Sequence, residues 1–275
     1  MRRFPGRRVV ITGAGSGFGR EFSLSFARRG WNVGVSDIDE GRADETVRQV
    51  KECGGLPQKY MCDVSKPEEL QNMADCFREE WGGVDIMVNN AGVAAAGYME
   101  EISLDDWNWI IEMDLMSVIY GCRAFIPLMK EQGNGHIVNM ASCAGLACLP
   151  EMSCYNVPKA GVISLSETLR WELASRNIAV TVITPTFFET NLMDQFRSPR
   201  EKQRKMANAF FCKSSATARQ VAEHAYKKVS KQKLYAVYQT DGKVMWILKR
   251  MFPELYTRVG GFFYKKGLFD RLRGA

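Results

Sequence analysis

The chain has 275 residues, 46% of them hydrophobic, and a formal net charge of +6. That length suits one large α/β domain or two small ones, and no run approaches the roughly 18 apolar residues of a membrane span. The charge is lopsided: residues 241–275 hold eight Lys/Arg against three acids, a net of +5, so the body carries +1 and no nucleic-acid groove is expected there.

Eight cysteines are scattered without a Cys-x-x-Cys pair. In a chain this long they read as free thiols of a reducing, cytoplasmic compartment. The amino end is basic (Arg2, Arg3, Arg7, Arg8) but lacks the apolar core of an export signal. Only His136 and His224 are available as imidazole ligands, so no histidine-built metal site is expected.

The first predicted element is the apolar run Val9-Val10-Ile11. Thr12-Gly13-Ala14-Gly15-Ser16-Gly17-Phe18-Gly19 follows at once, and Glu21 to Arg29 reads as an amphipathic helix. Strand, glycine turn and helix is the context in which glycine spacing suggests a phosphate cradle. The glycines let the backbone approach a pyrophosphate, and the helix amino end meets the charge. Thr12, Gly13, Gly15, Ser16, Gly17, Phe18 and Gly19 are therefore candidate cofactor-binding residues. The second strand, residues 31–36, ends in Asp37, 18 residues past Gly19. An acid there suits the ribose hydroxyls of NAD and repels the 2′-phosphate of NADP; alternatively, Asp37 caps the next helix.

A helix is predicted over 41–53 and a third strand over 56–62, ending in Asp63-Val64. Ser65, Pro67 and Glu68 then predict a helix opening with a Ser65–Glu68 capping box and running to about Trp81. The fourth strand, 84–88, leads into Asn89-Asn90-Ala91-Gly92. A long helix over about 105–131, a fifth strand over 135–140, a helix over 155–175 and a sixth strand over 178–184 follow. Strands alternating with helices predict a doubly wound parallel sheet in a single domain.

Tyr155 and Lys159 stand four apart, on one helix face. A phenol has a pKa near 10, too high for a base at neutral pH. A cation one turn away lowers it, and a fall of about two or three pH units would suit acid–base work. Pro158 lacks an amide donor and is tolerated in a helix's first turn, so this helix is expected to start at about Cys154–Tyr155.

Thr12-Gly13-x-x-x-Gly17-x-Gly19, Asp63-Val64, Asn89-Asn90-Ala91-Gly92, Ser142 and Tyr155-Asn156-Val157-Pro158-Lys159 occur in that order. On these motifs, residues 7–240 resemble the short-chain dehydrogenase/reductase family. The resemblance implies a seven-stranded parallel Rossmann sheet over residues 1–240. Residues 241–275 then form a basic, aromatic, helical extension. It implies that Asp63 and Val64 flank the adenine and that Asn90, Ala91 and Gly92 lie along the adenosine. It gives Ser142 the substrate oxygen, Tyr155 the proton, and Lys159 the nicotinamide ribose. Thr190 matches the hydroxyl at the nicotinamide carboxamide and Pro185 is a further cofactor-binding candidate, although Thr184-Pro185-Thr186 replaces the usual Pro-Gly. Asp114 stands where many members have a relay asparagine, and a carboxylate cannot donate as an amide does; a modified relay is expected. Family members are homodimers or homotetramers packed through the two long helices.

The loop after the sixth strand holds Phe187, Phe188, Met193 and Phe196, with Phe210 and Phe211 beyond. Ala94, Leu146 and Met152 could line the opposite side. These residues suggest a hydrophobic alcohol or ketone, such as a steroid, terpenoid or long-chain compound, or else they simply pack the lid. A helix over 221–229 and a seventh strand over 234–237 precede an apolar-basic helix at 243–252, which Pro253 breaks or restarts. The mixture suits a flap, a subunit contact or an interfacial membrane helix. The expected function is an NAD(H)-dependent alcohol dehydrogenase or ketone reductase, with NAD(H) preferred over NADP(H). Epimerisation or dehydration on the same fold is an alternative, as is a non-catalytic nucleotide-binding regulator. Against the regulator stand Tyr155 and Lys159, both present.

Overall fold

The computed structural model describes residues 3–188 and 190–267, apart from the side chains of residues 210–213. The glycine turn and the candidate catalytic positions all fall inside that range. Phe210 and Phe211 as substrate-side candidates, and the last eight residues of the extension, lie outside it.

Seven strands, β1 (Arg8–Thr12), β2 (Asn32–Asp37), β3 (Leu56–Met61), β4 (Ile86–Asn89), β5 (Gly135–Met140), β6 (Ile178–Ile183) and β7 (Tyr235–Ala236), form one sheet in the order β3-β2-β1-β4-β5-β6-β7. Every pairing is parallel. The central strands are apolar throughout because helices cover both faces. The strand order reverses between β1 and β4, and the crevice at the carboxyl ends of these strands is where such sheets bind ligands.

On one face, α1 (Gly17–Ala27) and α9 (Ala218–Ser230) pack over Val9, Ile11 and Val33, with α2 (Glu40–Glu52) beside them. Phe26 is fully buried there, its ring centroid 5.0 Å from those of Phe22 and Trp31 and 5.1 Å from that of Tyr226. Burying such a ring contributes about 1.5–3 kcal/mol. On the other face, α3 (Pro67–Trp81), α5 (Ser117–Gln132) and α7 (Ser153–Glu172) bury Phe77, Phe125 and Val162. Gly34 in β2 makes room for Phe77: a Cβ there would stand 2.7 Å from the ring's Cζ.

Four local expectations need correction. Ser65 does not cap α3. Lys66 is its N-cap residue, and the Ser65 hydroxyl donates instead to Asp63 Oδ1 at 2.7 Å. The long helix is not continuous: α4 (Leu104–Ile111) passes through one π-helical turn, Glu112–Met116, into α5. Such a turn inserts one residue and re-aims the side chains after it. The helix carrying Tyr155 begins at Ser153, so Pro158 lies in its second turn rather than its first. Asp37 caps nothing; Asp39 is the cap of α2 and accepts from Arg42 N at 2.9 Å.

The remaining elements are α6 (Cys143–Ala147), α8 (Glu201–Lys213), α10 (Thr240–Met251) and α11 (Pro253–Lys265), with Pro253 restarting the helix in its first turn. Among the described residues no helix is long and apolar enough to cross a membrane. The seven described cysteines are all unpaired.

Candidate active site

The crevice is built outward from the end of β1. Thr12 is buried there, not in the cleft. Its hydroxyl oxygen accepts the amides of Asn90 (3.0 Å) and Ala91 (3.2 Å) and its proton goes to Val88 O (3.3 Å), tying β4 to β1. The Asn90 amide answers by donating to the carbonyls of Thr12 and Gly13 at 2.8 and 3.1 Å. The turn then needs glycine for two reasons. Gly13 and Gly17 have φ of 61° and 50°, a region in which side chains are strained. At Gly19 a Cβ would stand 2.1 Å from the Gly13 carbonyl oxygen. Helix α1 starts at Gly17 with no side-chain cap and no acid in its first turn, so its leading amides face the crevice ready for an anion.

Asp37, at the end of β2, accepts the Gly15 amide at 2.7 Å and the Asp39 amide at 3.0 Å. Its carboxylate is therefore fixed beside the glycine turn. Asp63 is held below the usual carboxylate range: burial alone would raise it, but the Ser65 hydroxyl and amide and the nearby Lys66 outweigh that. Val64, Asn90, Ala91 and Gly92 continue the wall. Thr190 sits over the turn, its Cβ 3.4 Å from where a Gly17 Cβ would be. Pro185 lines the cleft, and its carbonyl accepts the Cys143 amide at 2.8 Å.

Ser142 lies two residues past β5 and caps α6, accepting from Ala144 N at 3.1 Å. Tyr155 occupies the first turn of α7 and Lys159 the second. Both are buried, with Lys159 Nζ 5.5 Å from the Tyr155 ring centre. Asp114, in the π-helical turn, is fully buried. Its Oδ1 accepts Val93 N at 2.8 Å, and its Oδ2 lies 3.2 Å from Lys159 Nζ, an ion pair outside hydrogen-bond geometry. Gly92 makes room for it: a Cβ there would stand 2.8 Å from Asp114 Oδ1.

The electrostatics correct one expectation. The Tyr155 hydroxyl is raised above the usual phenol value, not lowered. Burial does most of this and the Asp114 charge adds to it; Lys159 and the Ser142 hydroxyl pull the other way without prevailing. For Lys159, burial alone would lower the pKa, but Asp114 and then Tyr155 offset it and the ammonium is held above its usual range. Asp114 is raised, with burial outweighing Lys159 and the Val93 amide. Burial pushes the Cys143 and Cys154 thiols up to about 12 and about 11, so both are packing groups in their protonated form.

Gly13, Gly17 and Gly19 of the turn, Asp37, Ser142, Tyr155 and Lys159 line one cavity of about 630 Å³, with Asp114 buried behind Lys159. Its substrate end is lined by Val93, Ala94, Met152, Phe187, Leu192 and Phe196. Two expected members are elsewhere. Leu146 points from α6 into the sheet-and-helix core, and Met193 packs beside the cavity without lining it. Phe188 reaches the cavity but also packs against Phe18, centroids 6.3 Å apart.

A model of the short chain dehydrogenase family matches residues 7–201. The chain belongs to that family. A Mycobacterium bovis protein described as a probable oxidoreductase, EphD, is 33% identical over 255 residues, 90% of this chain but 43% of its own length. The chain thus spans less than half of that relative. The 3-oxoacyl-[acyl-carrier-protein] reductase FabG of Thermotoga maritima is 32% identical over 74% of this chain and 82% of its own. Among solved structures, a short-chain dehydrogenase/reductase from Burkholderia phymatum in complex with NAD has a TM-score of 0.85 at 32% identity, covering 90% of this chain and 94% of that one. A Sphingobium yanoikuyae enzyme of the family, in complex with NADPH, scores 0.72 at 26% identity over 83% and 86%.

Several cavity residues escape sequence reasoning. Arg42 lines the nucleotide side and pairs with Asp39 and with Asp194 (3.4 and 3.0 Å). It lies five residues past Asp37, in the first turn of α2. Gln203, Met206 and Ala207 of α8 and Asp241 and Met245 of α10 also line the cavity. Tertiary packing alone brings them there.

Proposed function

We propose that the chain is an NAD(H)-dependent alcohol dehydrogenase or ketone reductase. It moves a hydride between nicotinamide and a hydrophobic secondary alcohol or ketone. One observation carries the reading: Ser142, Tyr155 and Lys159 line the same cavity as the glycine turn and Asp37.

The residues fit a dinucleotide. The uncapped amino end of α1 and the side-chain-free Gly13 and Gly17 suit a pyrophosphate. Asp37, with Gly15 N on Oδ2 and Asp39 N on Oδ1, still offers lone pairs to ribose hydroxyls and repels a 2′-phosphate. Arg42 favours a phosphate, but two carboxylates already hold it. Lys159, Pro185 and Thr190 fall at the nicotinamide end. When bound, the nicotinamide supplies the hydride acceptor or donor.

The chain's own groups handle the proton. The hydroxyls of Ser142 and Tyr155 hold the substrate oxygen, and Tyr155 gives its proton to a carbonyl or takes one from an alcohol. Burial keeps the phenol protonated at neutral pH, the form that serves reduction, so alcohol oxidation gains with rising pH. Lys159, kept charged by Asp114, stabilises the phenolate that reduction leaves. The apolar walls between Val93 and Phe196 support a lipophilic substrate, and Gln203 and Glu151, joined at 3.2 Å, close one side.

Nucleotide binding measured by thermal shift tests this. NAD(H) should stabilise the wild type more than NADP(H), and Asp37→Ala should erase the difference. NADP(H) preference in the wild type would overturn the cofactor reading, and binding of neither would overturn the function.

A further inference from the structure

The two carboxyl-terminal helices put apolar residues outward. α10 holds the body with Gly242, Met245, Trp246 and Lys249. A Cβ on Gly242 would stand 2.9 Å from Thr186 Cγ2, Trp246 stacks on Tyr235 with centroids 4.5 Å apart, and Lys249 Nζ donates to Leu146 O at 2.9 Å. α11 holds it with hydroxyls: Tyr256 donates to Ala147 O at 3.2 Å and Tyr264 to Glu151 Oε1 at 2.9 Å.

The opposite side of each helix is uncovered and hydrophobic. On α10, Val244, Ile247, Leu248 and Met251 recur at helical spacing; on α11, Leu255, Val259, Phe262 and Phe263 do the same. With Phe252 at the joint, nine large apolar side chains, each 41–65% exposed, fall within residues 244–263. Elsewhere among the described residues exposed apolar side chains are scattered, as on ordinary surfaces. Arg250, Arg258, Lys265 and Lys266 are exposed beside the stripe. Residues 240–267 carry six Lys/Arg against two acids. Two copies packed face to face would set these like charges against each other, whereas an anionic surface neutralises them.

We propose that α10 and α11 dock this protein on an anionic bilayer. They lie in the interfacial plane with the apolar stripe at the acyl boundary and the Lys/Arg groups at the phosphates. At 12 and 13 residues neither helix spans the bilayer. The inference does not depend on the reaction proposed above.

The test is flotation of the full chain with vesicles of phosphatidylcholine alone and of phosphatidylcholine with phosphatidylglycerol. The wild type should float with the anionic vesicles, weakly with the neutral ones, and less as salt rises. Ile247→Ser/Phe262→Ser/Phe263→Ser should weaken partitioning more than tenfold. Arg258→Ser/Lys265→Ser/Lys266→Ser should weaken it on the order of a hundredfold, since each basic group near the surface contributes about fivefold. Thermal unfolding of both variants checks that they remain folded. Absence of wild-type flotation with anionic vesicles would overturn the proposal, as would equal, salt-insensitive binding to both. So would an apolar variant that floats normally but sediments at a lower mass, which would make the face a contact between copies.

Discussion

Replacing Asp114 by asparagine keeps the shape and the oxygen that accepts Val93 N, and removes the charge that faces Lys159. At the 3.2 Å separation of that pair, the attraction at an effective dielectric constant of about 20 is roughly 5 kcal/mol. Asparagine also relieves the burial of a carboxylate whose pKa burial has raised, so the net destabilisation at neutral pH should be about 1–3 kcal/mol. The pH dependence is the distinctive part. In the wild type Lys159 is held above its ordinary value, so its contribution is fully present below the unfolded pKa near 10.4 and is lost only above it. In the variant, burial is opposed only by Tyr155, and the folded pKa should fall below 10.4. The unfolded chain then binds more protons, and variant stability rises with pH up to that value. Urea unfolding of both proteins between about pH 7 and 10 should show the gap closing by up to ~1.4 kcal/mol per pH unit. As long as Lys159 keeps its charge, the alkaline limb of alcohol oxidation should move to lower pH, because the Asp114 charge no longer holds up the Tyr155 phenol. A gap that stays constant with pH, or an unmoved limb, would refute the ion pair's role.

Three further perturbations test other parts of the molecule. Gly19→Ala must push its Cβ away from the Gly13 carbonyl, 2.1 Å distant. It should cost roughly 1–3 kcal/mol and abolish the thermal shift given by nucleotide. Gly260→Ala, where nothing lies within 4 Å, should be neutral or stabilising by up to about 1 kcal/mol. His136 is buried with Nε2 2.8 Å from Thr181 Oγ1, whose own proton goes to Lys233 O at 2.7 Å, so Nε2 carries the hydrogen. Burial pushes its pKa down to about 3. A base whose folded pKa is depressed costs nothing above the unfolded value near 6.5 and destabilises below it, by about 2 kcal/mol at pH 5. His136→Asn should remove one proton's worth of that slope in acid unfolding curves, whatever it does to stability at neutral pH.

Much of this architecture was legible because the relevant signals are local. The alternation of apolar strands and helices predicts the sheet. The glycine turn follows from backbone sterics, and the four-residue spacing of Tyr155 and Lys159 from helix geometry. What was not legible depends on competition between neighbours. The Ser65–Glu68 signal is real chemistry, but Asp63 takes the Ser65 hydroxyl first. The π-helical turn inserts a single residue, which barely disturbs the apolar periodicity of 104–132, yet it is what carries Asp114 to Lys159. The sign of the Tyr155 shift could not be read from a cation one turn away, because burial and a carboxylate 41 positions earlier decide it. Leu146 and Met193 are apolar in the right segments, but short helical turns leave side-chain direction to tertiary packing.

The Arg42–Asp194 contact joins α2, beside Asp37, to the loop that follows Thr190, and so spans the mouth of the crevice. Both side chains are nearly half exposed, at 43% and 48%, and a pair so hydrated is worth no more than about 1 kcal/mol. That figure bounds the thermodynamic linkage the contact can transmit. A nucleotide that draws Arg42 away, and a substrate that reorders the loop, can change each other's affinity through this bridge by at most about fivefold, equally in both directions. Any stronger obligation to bind in order must come from the shared cavity walls and not from the clasp at its rim.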